Sequence, residues 1–222
     1  MEALAQLEEE ITSCRRCPRL VEWREKVARE KKAGHAGEEY WGRPVPGFGD
    51  PDARVVVLGL APAAHGANRT GRYFTGDRSG DFLFGSLYRT SYVSSPISRH
   101  AGDGMRLRDL WISAAVRCAP PKNKPTSAER DACLPYAARE LQLLPAAQVL
   151  VCLGAFAWDA ALRLYEVRPK PKFTHGAEHV TTSGLTLLGC YHPSQQNTFT
   201  GVLTESMLDS VFLRARELPE KG

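Results

Sequence analysis

The stretch GLAPAAHGANRTGRYFTGD, residues 59–77, gathers His65, Asn68, Arg69, Arg72, Phe74 and Asp77 just past the apolar run VVVLG. Its four glycines have neither the spacing of a dinucleotide fingerprint nor the Gly-Lys-Ser/Thr of a phosphate loop. Small residues let a backbone approach a ligand closely, an aromatic can stack on a planar group, guanidinium groups suit phosphates, and a carboxylate can orient a water. Two further stretches carry chemistry. CAPPKNKP (118–125) holds Asn123 between Lys122 and Lys124, and YHPSQQNTFTG (191–201) opens on His192 and continues with Gln195, Gln196, Asn197 and Phe199.

Four of the six cysteines form a separate pattern: Cys14-x2-Cys17 near the start, then Cys118 and Cys133. Disulfides do not suit the reducing compartment in which we place the chain, so a metal centre is the expectation. Zinc and iron–sulfur clusters both accept four thiolates. Zinc more often pairs two CxxC knuckles, and three of these cysteines are closely followed by proline (CP, CAPP, CLP), so the spacing favours a [4Fe–4S] cluster over zinc. Cys152 and Cys190 sit inside apolar runs (VLVCLG, LLGCYH) and read as small core residues.

The elements that position these groups follow from the apolar patterning. Four short runs, Val55–Leu60, Leu110–Val116, Val149–Leu153 and Leu185–Tyr191, read as buried strands. Helices are expected at 2–11, about 79–91, 127–144, 155–165 and 204–217, while residues 33–53, rich in Gly and Pro, read as a structured loop. Alternating strands and helices predict a mainly parallel sheet covered on both faces, whose ligand-binding residues lie beyond the carboxyl ends of the strands. That rule brings 61–77, 117–125, 154–158 and 192–201 to one edge.

The 222 residues suit one α/β domain with an N-terminal arm over about 1–50. No apolar run spans a bilayer and MEALAQLEEE is not a signal peptide, so the chain reads as a cytoplasmic, prokaryotic protein; a monomer is a separate expectation. The net charge of +4 decides little, but residues 15–32 concentrate eight basic against three acidic side chains. An arginine excess fits both phosphate contacts and a solvated surface.

The first motif, CAPPKNKPT, YHPSQQNTFTG and the four-cysteine layout together resemble the iron–sulfur uracil-DNA glycosylases, most closely the family-5 (type B) branch. The likeness runs from Cys14 to about residue 201. It implies a three-layer α/β/α fold around a central four-stranded, mainly parallel sheet, and a structural [4Fe–4S] cluster on Cys14, Cys17, Cys118 and Cys133. The implied activity is base excision from DNA: a nucleotide is flipped out and its N-glycosidic bond hydrolysed.

On that resemblance Phe74 stacks on the flipped base, while Gly59, Ala61 and Pro62 let the backbone approach it. A neutral His192 donates to the base as it leaves with negative charge. Asp77 orients the water or stabilises the sugar cation, with N-capping of the next helix as its competing duty. Asn123 positions the water or the sugar. Gln195, Gln196 and Asn197 join Phe199 in a loop that wedges into the duplex, and Arg69, Arg72, Lys122 and Lys124 touch phosphates. Relatives keep a carboxylate one or two residues after the strand-end glycine, where this chain has Leu60 and Ala61. The burden therefore passes to Asp77, to His65 beside the base, or to electrostatics alone. Type A relatives carry a base-reading Asn where Ala114 stands, so the pocket is expected to accept uracil and other deaminated bases such as hypoxanthine and xanthine. No lysine in these motifs offers a Schiff-base nucleophile, so lyase activity is not expected. Two rivals remain: a DNA-binding module without catalysis, and a protein whose cluster regulates DNA binding by redox change.

Overall fold

The computed structural model describes residues 2–218. Helices α1 (Glu2–Thr12) and α2 (Pro18–Glu30) form the N-terminal arm, followed by a short strand β1 (Phe48–Gly49) and then β2 (Val55–Gly59). Next come the one-turn helix α3 (Ala67–Thr70), α4 (Arg78–Arg89), β3 (Leu110–Ala114), α5 (Ser127–Gln142), β4 (Val149–Leu153) and α6 (Ala155–Leu164). The chain closes with β5 (Glu178–Val180), β6 (Thr186–Cys190), α7 (Gln195–Phe199) and α8 (Glu205–Glu217).

The sheet order is β1-β3-β2-β4-β6-β5. The inner strands β3, β2, β4 and β6 are parallel, as the apolar runs predict. All five residues of each are buried, which is what a sheet covered on both faces requires. The structure adds two antiparallel edge strands, β1 against β3 and β5 against β6. Neither was legible: β1 spans two residues of a Gly- and Pro-rich segment, and β5 is largely exposed, so neither offers an apolar run.

Side chains alternate across the sheet and build two cores. Val55, Val57, Ile112, Ala114, Val151 and Cys190 pack with Leu83, Phe84 and Leu87 of α4 and Leu208, Val211 and Phe212 of α8. Val56, Leu58, Trp111, Leu150, Cys152 and Leu187 pack on the other side with Leu134 of α5 and Trp158 and Ala161 of α6. The result is α/β/α layering. Cys152 and Cys190 are fully buried, one in each core.

Local signals set the helix starts that matter here. Thr126 and Glu129 close a capping box on α5, Ser194 caps α7 and Thr204 caps α8. Register places Gly59 beside Ala114 and Leu153 beside Cys190, so the loops after all four parallel strands emerge at one edge. Among the described residues no helix is long and apolar enough to cross a membrane.

Candidate functional site

The residues after β2 turn sharply and return Phe74 to the strand end. Phe74 has φ of 52°, a left-handed conformation that costs a bulky residue on the order of 1–3 kcal/mol. Two glycines make it possible. A Cβ on Gly80 would collide with the Phe74 carbonyl, and one on Gly59 would lie 3.1 Å from the Phe74 ring. Ala114, buried at the neighbouring strand end, belongs to the core face against which Phe74 packs. From β6, His192 brings its ring to 6.2 Å from the Phe74 ring, centroid to centroid, at 41°. Two aromatic faces and a small-residue floor thus meet at the carboxyl edge.

His192 keeps some exposed surface yet is hemmed in by protein, and this desolvation lowers its pKa from 6.5 to about 4. At physiological pH the ring is therefore neutral, with a single N–H to donate. Its backbone is pinned from two sides. Asn197 Nδ2 donates to the His192 carbonyl at 2.9 Å, and Gly154, with φ of 92°, leaves room beside the His192 Cβ that a side chain would crowd at 3.3 Å. Asn197, expected on the duplex, therefore spends its amide on the HPS turn. Gln195 and Gln196 are exposed, and Phe199 is 67% exposed at the end of α7 with the Arg78 guanidinium 5.5 Å from its ring centre. The stretch read as a wedge loop is a single helical turn because Ser194 caps it.

Asp77 does cap α4: its Oδ1 accepts from the Gly80 N–H at 2.9 Å. Its Oδ2 lies against Gly66, where any side chain would clash. Burial raises the Asp77 pKa, the Gly80 N–H opposes that, and the charge of Asp81 adds to it. Capping occupies Oδ1, and the Ser79 N–H also favours the charged carboxylate.

Other expected residues go elsewhere. Arg69 and Arg72 are buried, and their donors are consumed inside the fold. Arg69 binds the carbonyls of His65 and Gly76 and the Glu38 carboxylate. Arg72 binds Thr75, the Ala101 carbonyl, Ser98 and Asp103. The expectation that these two reach phosphates gives way to a structural role, because each guanidinium is buried and hydrogen-bonded within the fold through all three of its nitrogens. His65 turns to the arm, where its Nδ1 meets the Tyr40 hydroxyl at 3.0 Å, and desolvation lowers its pKa. Ala61 packs against Leu20, Val116 and Cys118, and Pro62 is buried. Asn123 is exposed in a tight turn with φ of 55°, between the exposed Lys122 and Lys124, and its side chain bonds no described residue. Gly66, Gly80, Gly154 and Tyr40 were missed, because a glycine's need to be glycine appears only once its neighbours are placed.

The four cysteines come from the α1–α2 junction, the loop after β3 and helix α5, yet all line one small cavity with Leu20, Val21, Pro44 and Val116. Arg24 Nη1 donates to Cys118 Sγ at 3.0 Å, and the Arg117 backbone N–H donates to Cys133 Sγ at 3.3 Å. Among the described residues no three His, Cys, Asp or Glu side chains converge on one metal-ion position. The thiols surround a space rather than a point.

Comparison with known proteins shows the family. A model of the uracil DNA glycosylase superfamily matches residues 46–214. The chain is 53% identical to the type-5 uracil-DNA glycosylase of Mycobacterium bovis over 97% of its own length and 82% of the relative's. It is 51% identical to the type-5 enzyme of Thermus thermophilus over 94% of each. Identity to the type-4 uracil-DNA glycosylase of Archaeoglobus fulgidus is 29%, over 75% of this chain and 67% of that one.

Proposed function

The chain belongs to the uracil DNA glycosylase superfamily, on its type-5 branch, and from that membership we propose that it hydrolyses the N-glycosidic bond of uracil in DNA and leaves an abasic site. Water forms a bond to the sugar C1′ as the C1′–N bond breaks, the electron pair leaves with the base, and the water's proton ends on the departing base. The observation that carries the reading is the meeting of the strained Phe74 with a neutral His192 over Gly59 and Ala114. We assign Phe74 to stacking on the flipped base, with Gly59, Ala61 and Pro62 forming the close backbone wall. His192 donates an N–H to the oxygen on which negative charge develops, as an oxyanion-hole donor does. Asp77 faces the sugar, and Asn123 and His65 stay candidates for holding the water or the base edge. Gln195, Gln196 and the exposed Phe199 fill the vacated stack, with Asn197 holding His192.

Because Ala114 offers no amide to read the Watson–Crick edge, hypoxanthine and xanthine are accepted as well as uracil. We assign Cys14, Cys17, Cys118 and Cys133 to a structural [4Fe–4S] cluster. Four thiols around a cavity suit a cluster's corners, whereas one zinc draws its sulfurs to about 2.3 Å. Bound there, the cluster cross-links the arm to α5. We further read the chain as one domain that acts as a monomer on DNA in the prokaryotic cytoplasm.

Incubation with a uracil-containing duplex, followed by alkali, tests the reading. Strand breaks at uracil are expected, together with a brown colour absorbing near 400 nm. Tight binding without breaks sinks the enzymatic reading and favours a non-catalytic DNA-binding module.

A further inference from the structure

Burial of Arg69 and Arg72 raises the question of which cations meet the DNA backbone. The N-terminal arm answers it with a cleft of about 560 Å³ between α2 and residues 40–43, lined by Arg15, Arg24, Arg29, Arg43, Tyr40 and Trp41. Four guanidinium groups face a single carboxylate, Glu25, which is paired with Arg15 at 2.5 Å. Arg29 and Arg43 are exposed and form no hydrogen bond or ion pair with any described residue, though Arg43 lies 5.4 Å over the Trp41 ring. Arg24 is only 2% exposed and spends its Nη groups on the Cys14 carbonyl and Cys118 Sγ, with the Glu25 carboxylate 3.8 Å away, so it backs the cleft while Arg29 and Arg43 are left to face a ligand.

The cleft is joined to the base site. Tyr40, one of its walls, reaches the His65 ring, while the backbone N–H groups of Trp41 and Gly42 donate to the carbonyls of Arg69 and Asn68. It therefore opens beside the loop that follows β2, at the carboxyl edge of the sheet. We propose that this cleft binds phosphodiester groups of the DNA strand next to the flipped nucleotide, with Arg29 and Arg43 as its two phosphate contacts. The site rests on the DNA-glycosylase reading above and extends the nucleic-acid footprint onto the arm.

The experiment measures the affinity of the full-length protein for an undamaged duplex at several salt concentrations. Each phosphate contact contributes about 0.9 to the slope of log K against log salt. The Arg29→Ala/Arg43→Ala double variant is expected to bind more weakly, with its slope shallower by about 2. Both side chains are solvent-exposed, and unchanged melting checks that the fold is intact. Arg106→Ala/Arg108→Ala removes two exposed arginines that precede the amino end of β3, at the opposite edge, and should leave the slope unchanged. An equal loss from both doubles would mean diffuse charge attraction and overturn the site. Titration of inorganic phosphate separates the sources: phosphate binding abolished by Arg29→Ala/Arg43→Ala, with the DNA slope intact, overturns the strand assignment in favour of a small-anion site. A wild type that releases uracil, alongside a double variant of wild-type slope, sinks this inference and leaves the function standing. Failure of the wild type to release uracil sinks the function whatever the slope does.

Discussion

Substitution of Asp77 separates the two duties of one carboxylate. Asp77→Asn retains an oxygen for the Gly80 N–H, whereas Asp77→Ala leaves that N–H without a partner inside the turn that carries Phe74. Loss of the cap costs about 1–2 kcal/mol, read as roughly 2–4 °C in Tm for each kcal/mol at this chain length. Charge acts in the opposite direction. Burial raises the Asp77 pKa above its ordinary 3.8. The folded protein thus holds that proton more readily than the unfolded chain does. The contribution of Asp77 favours folding below pH 3.8 and is lost as pH rises through the folded value. Asp77→Asn relieves the desolvated charge, so at pH 7 it melts at or above wild type, and the gap closes in acid. Both variants should lose about 10²–10⁴-fold in excision rate if the carboxylate acts on the water or the sugar. Single-turnover excision from a uracil duplex and calorimetry at neutral and acid pH read these effects. An Asn variant within tenfold of the wild-type rate refutes the chemical duty, and one that melts as low as the Ala variant refutes the cap.

Arg72→Ala should lose about 3 kcal/mol in urea denaturation, because it strips the partner from Asp103, whose own burial is outweighed by hydrogen bonds that hold its pKa at about 2. The salt slope of DNA binding should not move, and a slope shallower by about 1 would return Arg72 to the phosphates. For His192 the folded pKa lies below the unfolded value, so unfolding takes up a proton between pH 6.5 and about 4 and stability falls as pH drops through that window. His192→Gln should flatten this dependence, and a wild-type excision rate that breaks near pH 6.5 would show instead that His192 titrates in the working range. Ala114→Asn should raise the ratio of uracil to hypoxanthine excision, measured on matched duplexes, and an unchanged ratio removes position 114 from base discrimination.

The four apolar runs declared the parallel strands because a strand buried on both faces has few other compositions. VVVLG and VLVCL left the hydrophobic effect one way to hide them. The chemical types at the carboxyl edge were equally legible in GLAPAAHGANRTGRYFTGD and HPS, since loops beyond parallel strands converge there whatever their details. What the sequence could not decide is where each side chain spends its hydrogen bonds. Arg69 and Arg72 have the composition of phosphate ligands, but carboxylates and carbonyls distant in sequence, Glu38 and Asp103 among them, claimed their donors. Asn197 looked like a duplex contact and became the anchor of His192. Phe74 owes its strained backbone to the missing Cβ atoms of Gly59 and Gly80, twenty-one residues apart, and the four cysteines reach one cavity only because the arm folds back over α5. Local patterning determines which elements form, because burial depends on composition. Tertiary contact alone determines which polar groups remain unsatisfied and so free to meet a ligand, because a donor's availability is set by whatever else has been packed beside it.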